Sequence, residues 1–150
     1  MAPEIELRPC AGAAEHPRLL EVWRSAVLAT HHFLTRADFE FYENAVCREA
    51  LRQFRLVVAL VRGEIVGFSG TGGRNLEMLF VHDDYRGTGI GGALLDEAVR
   101  RIPQLTLDVN EQNPQALVFY ENRGFVVVGR SETDADGRPY PLLHMTLLPG

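Results

Sequence analysis

The segment Tyr85-Arg86-Gly87-Thr88-Gly89-Ile90-Gly91-Gly92 places four glycines within six positions, beside an arginine and just before a helical apolar stripe. The first amides of a helix have no internal partners, and the helix dipole adds partial positive charge there. Glycine lets the backbone approach a bulky anion and take angles closed to other residues. Arg86 can add a charged donor. A pyrophosphate is the natural ligand of such a cradle. One glycine would be explained by the backbone angles of a tight strand-to-helix turn; this cluster, with its arginine, points to anion binding.

Gly87, Gly89 and Gly92 also satisfy the dinucleotide fingerprint G-x-G-x-x-G, and Asp108 ends the next strand where a ribose-binding acid would lie. Two observations oppose that assignment. His82 to Arg86 separate the strand from the first glycine, whereas the fingerprint turns directly off its strand. The chain also lacks the pattern for repeated parallel βαβ units. A phosphate-binding P-loop is excluded because no Gly-Lys-Ser/Thr follows.

Downstream, Asn113-Pro114 starts a helix: Asn caps the free amides and Pro suits the first helical position. Tyr120 stands two turns later on the same face, about 10 Å along the axis. Asp108 occupies the strand face opposite Leu105, Leu107 and Val109. Glu77, Glu111, His31 and His32 are further proton-handling candidates, and histidine has the better unperturbed pKa for that work. Adjacent histidines do not make the i, i+4 pair of a helical metal site, so no metal is expected. Cys10 and Cys47 lie apart without ligand spacing and read as structural or inert thiols.

These residues need elements to position them. Ile5 and Leu7 alternate with charged residues in a short strand ended by Pro9. Leu19, Leu20, Trp23, Ala26 and Val27 recur at helical spacing between Ala14 and Ala29. A second helical region runs from Thr35, as N-cap, to about Gln53. Arg55–Val61 and Ile65–Thr71 form a hairpin around Arg62-Gly63-Glu64, and Leu76–Val81 follows as a strand. Leu94, Leu95, Ala98, Val99 and Ile102 make a helical stripe stopped by Pro103. Leu105–Val109 is a strand, and the helix from Asn113 ends near Gly124. Phe125–Val128, a turn at Asp134–Gly137 and a strand at Leu142–Leu147 complete a mixed α/β sheet.

The chain of 150 residues fits one domain, 1–150. Hydrophobic residues at 46% and charged ones at 23% are ordinary for a soluble globular protein. Its net charge is −5, and every basic residue other than histidine is arginine; the chain has no lysine. No concentrated basic stripe suits a nucleic acid. The N-terminus has no secretory pattern and no segment approaches membrane-spanning length, so the cytoplasm is the expected location.

The pattern R-x-x-G-x-G of Arg86, Gly89 and Gly91 after LEMLFV resembles the acetyl-coenzyme A loop of the GNAT N-acetyltransferases. NPQALVFYENRGF, from Asn113 to Phe125, resembles that family's N-x-x-A-x-x-x-Y-x-x-x-G-F block, at the right spacing. The likeness covers essentially the whole chain. The stretches ATHHFL, NEQN and GRSETDADGRPYPLL further resemble the family's small bacterial YjaB-like branch.

The resemblance implies a single-domain mixed β-sheet flanked by helices, with splayed central parallel strands. It implies acetyl-coenzyme A as co-substrate and an amine of a small molecule or peptide as acceptor, attacked directly in a ternary complex. The backbone of Leu79, Phe80 and Val81 would follow the pantetheine arm, with an amide near Phe80 or Val81 polarising the carbonyl. Arg86, Gly87, Thr88, Gly89, Ile90 and Gly91 would hold the pyrophosphate, and Asn113 would contact the pantetheine. Tyr120 would serve as general acid at the departing sulfur. Asp108 stands where some members carry an acidic general base. His31, His32 and Glu77 would border the acceptor, and the protein would be a monomer or homodimer. A non-catalytic acyl-coenzyme A-binding or sensing module is the alternative; the presence of Tyr120 argues against it.

Overall fold

The computed structural model describes residues 4–148, apart from the side chain of Cys47. The reading of Cys47 as an inert thiol, and that of the first three residues, therefore lie outside the described residues. Within the described residues, seven strands form one sheet in the order β1-β2-β3-β4-β5-β7-β6. They are β1 (Ile5–Pro9), β2 (Arg55–Val61), β3 (Glu64–Gly72), β4 (Asn75–Val81), β5 (Thr106–Asn110), β6 (Phe125–Ser131) and β7 (Leu142–Leu147). Every pairing is antiparallel except β4 with β5.

Helices cover both faces. Helix α1 (His16–Thr30) lays Leu19, Val22, Trp23 and Val27 against Leu56, Val58, Phe68 and Met78. On the other face, α4 (Ile90–Arg101) packs Ile90 and Leu94 against Val57, Ala59, Val61 and Val66. The apolar run of β2 is thus explained: alternate residues enter two different cores, so neither face can be polar. Gly67 permits the approach of α4, since a Cβ there would lie 2.9 Å from Ile90 Cγ2. Helix α5 (Pro114–Glu121) adds Tyr120 to a third cluster with Leu107, Val109, Phe125 and Met145.

The second helical region is composite. Thr35 caps α2 (Arg36–Ala45), its hydroxyl accepting from the Asp38 amide at 3.1 Å. A five-residue π-helical stretch, Val46–Ala50, then leads into the short α3 (Leu51–Gln53). The α5 helix closes at Glu121, and Gly124 takes φ 91° where the chain reverses. Strand β6 runs on to Ser131, beyond the end expected from its apolar residues. Edge position explains this: Val127 and Val128 are exposed while β7 buries Met145 between β5 and β6.

One irregularity shapes the site. Gly70 pairs with Met78 but Thr71 pairs with Leu76, so Glu77 is an extra residue on β4. Such a bulge bends and twists its strand. It also resets the alternation, sending Leu76 and Leu79 to the α4–α5 side and Met78 and Phe80 to the α1 side. Beyond it, β4 leaves β5: the two parallel strands pair only at Asn75–Thr106 and Leu76–Leu107.

The β6–β7 loop is fastened to α2. Arg138 donates to Asp38 at 2.5 Å and lies 3.7 Å over the Phe41 ring. The Tyr140 hydroxyl also donates to Asp38, and the Tyr42 hydroxyl donates to Asp134. The bond from Tyr140, with help from Thr35 and Arg138, holds the Asp38 carboxyl below its usual pKa. A depressed carboxyl stabilises the fold above its unfolded value of about 3.9, and that contribution is lost as pH falls through the folded value. Asp38→Asn should therefore have a lower urea midpoint than wild type at pH 7, with the gap closing below about pH 4. A gap independent of pH would remove the charge from this account.

Candidate active site

The splay of β4 from β5 opens a cleft of about 460 Å³. Leu79, Phe80 and Val81 line one wall, Asn113, Phe119 and Tyr120 of α5 another, and the glycine loop closes the end. His82 donates its amide to the Val66 carbonyl at 2.8 Å, and Phe80 stands opposite Phe68 in the same register. Hydrogen-bonded and open pairs alternate along an antiparallel ladder. The Phe80 amide is therefore committed to β3, and those of Leu79 and Val81 point towards the cleft.

The loop has the geometry its glycines were expected to provide. Gly87 has φ 73° and Gly89 φ 90°, both in the left-handed region. Gly89 occupies the cap of α4, so the amides of Ile90, Gly91 and Gly92 lack intrahelical partners; Ala93 is the first to bond back, to the Gly89 carbonyl at 3.0 Å. Arg86 is held across the opening by Gln115 Oε1 at 2.7 Å. Thr88 is not part of the lining; its hydroxyl donates to the Tyr85 carbonyl at 2.5 Å and braces the turn. Gly92 has a different purpose from the others, because a side chain there would collide with the Arg123 guanidinium. Arg123 lies 4.8 Å over the Phe119 ring and brings a second cation to the cleft.

Asn113 Oδ1 accepts from the Ala116 amide at 3.3 Å, as a cap should. Tyr120 is buried, in edge contact with Phe119 and Phe125, and its hydroxyl has no protein partner among the described residues. Burial pushes its pKa well above that of an ordinary phenol. Tyr120 is thus a neutral donor with a free hydrogen.

Across β4 lies a second cavity, of about 510 Å³. The end of α1, the π-helical stretch, β4, β5 and the β6–β7 loop enclose it. Among the described residues, five carboxylates line it (Glu49, Glu77, Asp108, Asp134 and Asp136) and no arginine does. Asp108 sits opposite His144 on β7, Oδ1 2.5 Å from Nδ1, and His144 Nε2 is 2.6 Å from the Ser131 hydroxyl. A carboxylate only accepts, so Nδ1 carries a hydrogen, and in the neutral ring Nε2 accepts from Ser131.

Glu77 and Asp108 are brought together at this cavity, and His31 lines both it and the donor cleft. His32 lines neither; it faces a surface hollow beside Arg24 and Arg36 that His31 also borders. Glu111 is likewise outside, paired with Arg130 at 2.9 Å, which holds its carboxyl below the ordinary value. The sequence reading missed Gln115, Arg123, His144 and the Tyr42–Asp134 and Asp38–Arg138 contacts. A signal existed for one of them: Arg123 is one helical turn beyond Phe119. The others depend on strand register and loop docking.

A family model for the acetyltransferase (GNAT) domain matches residues 26–148. The chain is 44% identical over 132 residues to the peptidyl-lysine N-acetyltransferase YjaB of Salmonella typhimurium, covering 87% of this chain and 90% of that protein. Its fold matches the solution structure of apo YjaB from Escherichia coli with TM-score 0.89 and 38% identity, over 98% of this chain and 99% of that one. The same fold occurs in the PaiA N-acetyltransferase of Thermoplasma acidophilum, solved with coenzyme A, at TM-score 0.71 and 21% identity over 94% and 98% of the two chains. A family model spanning most of the sequence, and a relative aligned along most of both chains, establish that the protein belongs to the GNAT family of acetyltransferases.

Proposed function

We propose that the protein transfers the acetyl group of acetyl-coenzyme A to the ε-amine of lysine in peptides or proteins. The observation that carries this reading is the pairing of two oppositely lined cavities on one strand. Arg86, Arg123 and the free α4 amides suit the phosphates of the donor, whereas the carboxylates across β4 suit an ammonium group. The relatives named as peptidyl-lysine acetyltransferases support the same acceptor. The chain has no lysine of its own, so the accepting ε-amine comes from another molecule.

In this reading the pantetheine arm follows Leu79 to Val81, and the amide of Val81 or Leu79 polarises the thioester carbonyl. Phe80, first considered for that task, has its amide turned towards β3. Asn113 borders the arm, and Tyr120 donates to the leaving sulfur. The amine attacks directly, without a covalent enzyme intermediate. The proposed setting is the cytoplasm; among the described residues no helix is long and apolar enough to cross a membrane.

The test is a thiol-release assay over lysine peptides, polyamines and amino acids, with mass spectrometry of the products. Lysine peptides should be acetylated at the ε-amine, and a protein that binds coenzyme A yet acetylates none of them would refute the acceptor. Glu77→Gln with Asp108→Asn should raise KM for a lysine peptide about tenfold, equivalent to about 1.4 kcal/mol. An unchanged KM would place the ammonium elsewhere.

A further inference from the structure

Carboxylates that attract an ammonium also favour its protonated form, so an amine seated there still needs a proton acceptor. Two described residues line both cavities, Phe80 and His31. Phe80 offers only an apolar ring. His31 is therefore the single titratable side chain, among the described residues, that reaches both the donor and the acceptor space.

Its ring is fixed in one tautomer. His31 Nδ1 lies 2.7 Å from the Thr30 hydroxyl, which in turn lies 2.8 Å from the Ala26 carbonyl. A carbonyl can only accept, so the one hydroxyl hydrogen is spent on Ala26 and Thr30 accepts from His31. Nδ1 therefore bears the ring hydrogen and Nε2 is a bare lone pair with no partner among the described residues. The residue ends α1, its amide bonded to the Val27 carbonyl at 2.8 Å, and its ring packs 5.3 Å from that of Phe33. Asp108 is less suited: one of its oxygens is committed to His144, and it does not reach the donor cleft.

We propose that His31 is the catalytic base, its Nε2 taking the proton from the amine nitrogen as that nitrogen attacks the thioester. This rests on the N-acetyltransferase reading. The nitrogen bonds to the carbonyl carbon, the carbon–sulfur bond breaks with its electron pair passing to sulfur, and Tyr120 supplies hydrogen to the sulfur. His31 then releases its proton to solvent and Tyr120 recovers one, leaving the N-acetylamine and the free thiol. Burial, with His32 adjacent, lowers the His31 pKa to about 4, so the ring is neutral and ready at physiological pH. Such a ring does not deprotonate a free ammonium efficiently; the ammonium first gives a proton to water, and His31 takes the second as the resulting free amine attacks. Attack on the carbonyl draws charge from the nitrogen and makes its N–H far more acidic, so the neutral ring can take that proton as the bond forms.

The experiment compares wild type, His31→Ala and His31→Gln by thiol release from acetyl-coenzyme A with a lysine peptide, alongside calorimetric donor binding. Both variants should retain donor affinity, which also reports that they are folded, and should lose about 100-fold or more in kcat. Glutamine keeps an acceptor atom without taking up a proton, so it separates proton transfer from positioning. Added imidazole should restore His31→Ala in proportion to its free-base concentration. Turnover within about twofold of wild type in either variant overturns this role. A wild type that binds coenzyme A but acetylates no amine overturns the enzyme reading and this role with it.

Discussion

Gly89→Val is expected to weaken acetyl-coenzyme A binding by about two to four orders of magnitude. Gly89 has φ 90° and ψ 1°, and a Cβ built there meets nothing within 4 Å. Space is not the constraint; the backbone angle is. A β-branched residue in this region is a strong outlier, and holding a side chain in such a conformation costs about 1–3 kcal/mol. The exposed loop would relax instead, turning the amides of Ile90 and Gly91 away from the phosphates. A hydrogen bond to a charged group contributes about 1.5–3 kcal/mol, so losing two amounts to about 3–6 kcal/mol. At about 1.4 kcal/mol per tenfold, that is the predicted loss. Calorimetric titration with coenzyme A measures it, and affinity within about threefold of wild type would break the cradle account. The thermal midpoint should move far less, because the relaxed loop leaves the three apolar clusters intact.

The two halves of the site owe their separation to one inserted residue. Without the bulge at Glu77, β4 could continue its ladder with β5, and the donor would have no cleft. The same bulge brings Glu77 to the acceptor cavity and turns Phe80 towards α1. Charge then sorts the ligands: cations and helix amides on the donor side, carboxylates on the acceptor side. Field complementarity of this kind orients substrates before contact.

The donor side was legible in the sequence because its signals are local. The glycine loop, the Asn113-Pro114 helix start and the spacing to Tyr120 each lie within a few turns of chain, where propensity and periodicity apply. The acceptor side is built from distant segments. Asp108 meets His144 only because β7 enters the sheet between β5 and β6, and no periodicity in either strand specifies that register. The Asp38–Arg138 contact joins residues a hundred positions apart. The bulge at Glu77 is equally silent, since its neighbours Leu76 and Met78 read as an ordinary apolar strand. His31 and His32 could have been separated earlier. Trp23, Val27 and His31 recur every four residues, so His31 prolongs the buried stripe of α1 and His32 does not.

Tyr120→Phe should lower kcat by about 10²–10⁴ while leaving stability and donor affinity near wild type. Among the described residues the hydroxyl has no protein partner to lose, and the ring keeps its contacts with Phe119 and Phe125. The size of the effect rests on how Tyr120 assists the sulfur. An ordinary phenol near 10 is already a weaker acid than a thiol near 8.5, a gap of about 2 kcal/mol against transfer. Burial raises the phenol further, so Tyr120 stays protonated until the sulfur departs. Tyr120 therefore acts chiefly as a hydrogen-bond donor to the developing thiolate, with proton transfer late or incomplete. Two consequences can be measured. Activity that needs the protonated phenol is lost only as pH rises through its pKa, so Tyr120 should impose no alkaline limb below about pH 10. The defect of Tyr120→Phe should also shrink with acetyl donors whose thiols are more acidic, because a better leaving group needs less help. A limb near pH 8.5 that disappears in the phenylalanine variant, or a defect indifferent to the leaving thiol, would show that Tyr120 acts otherwise.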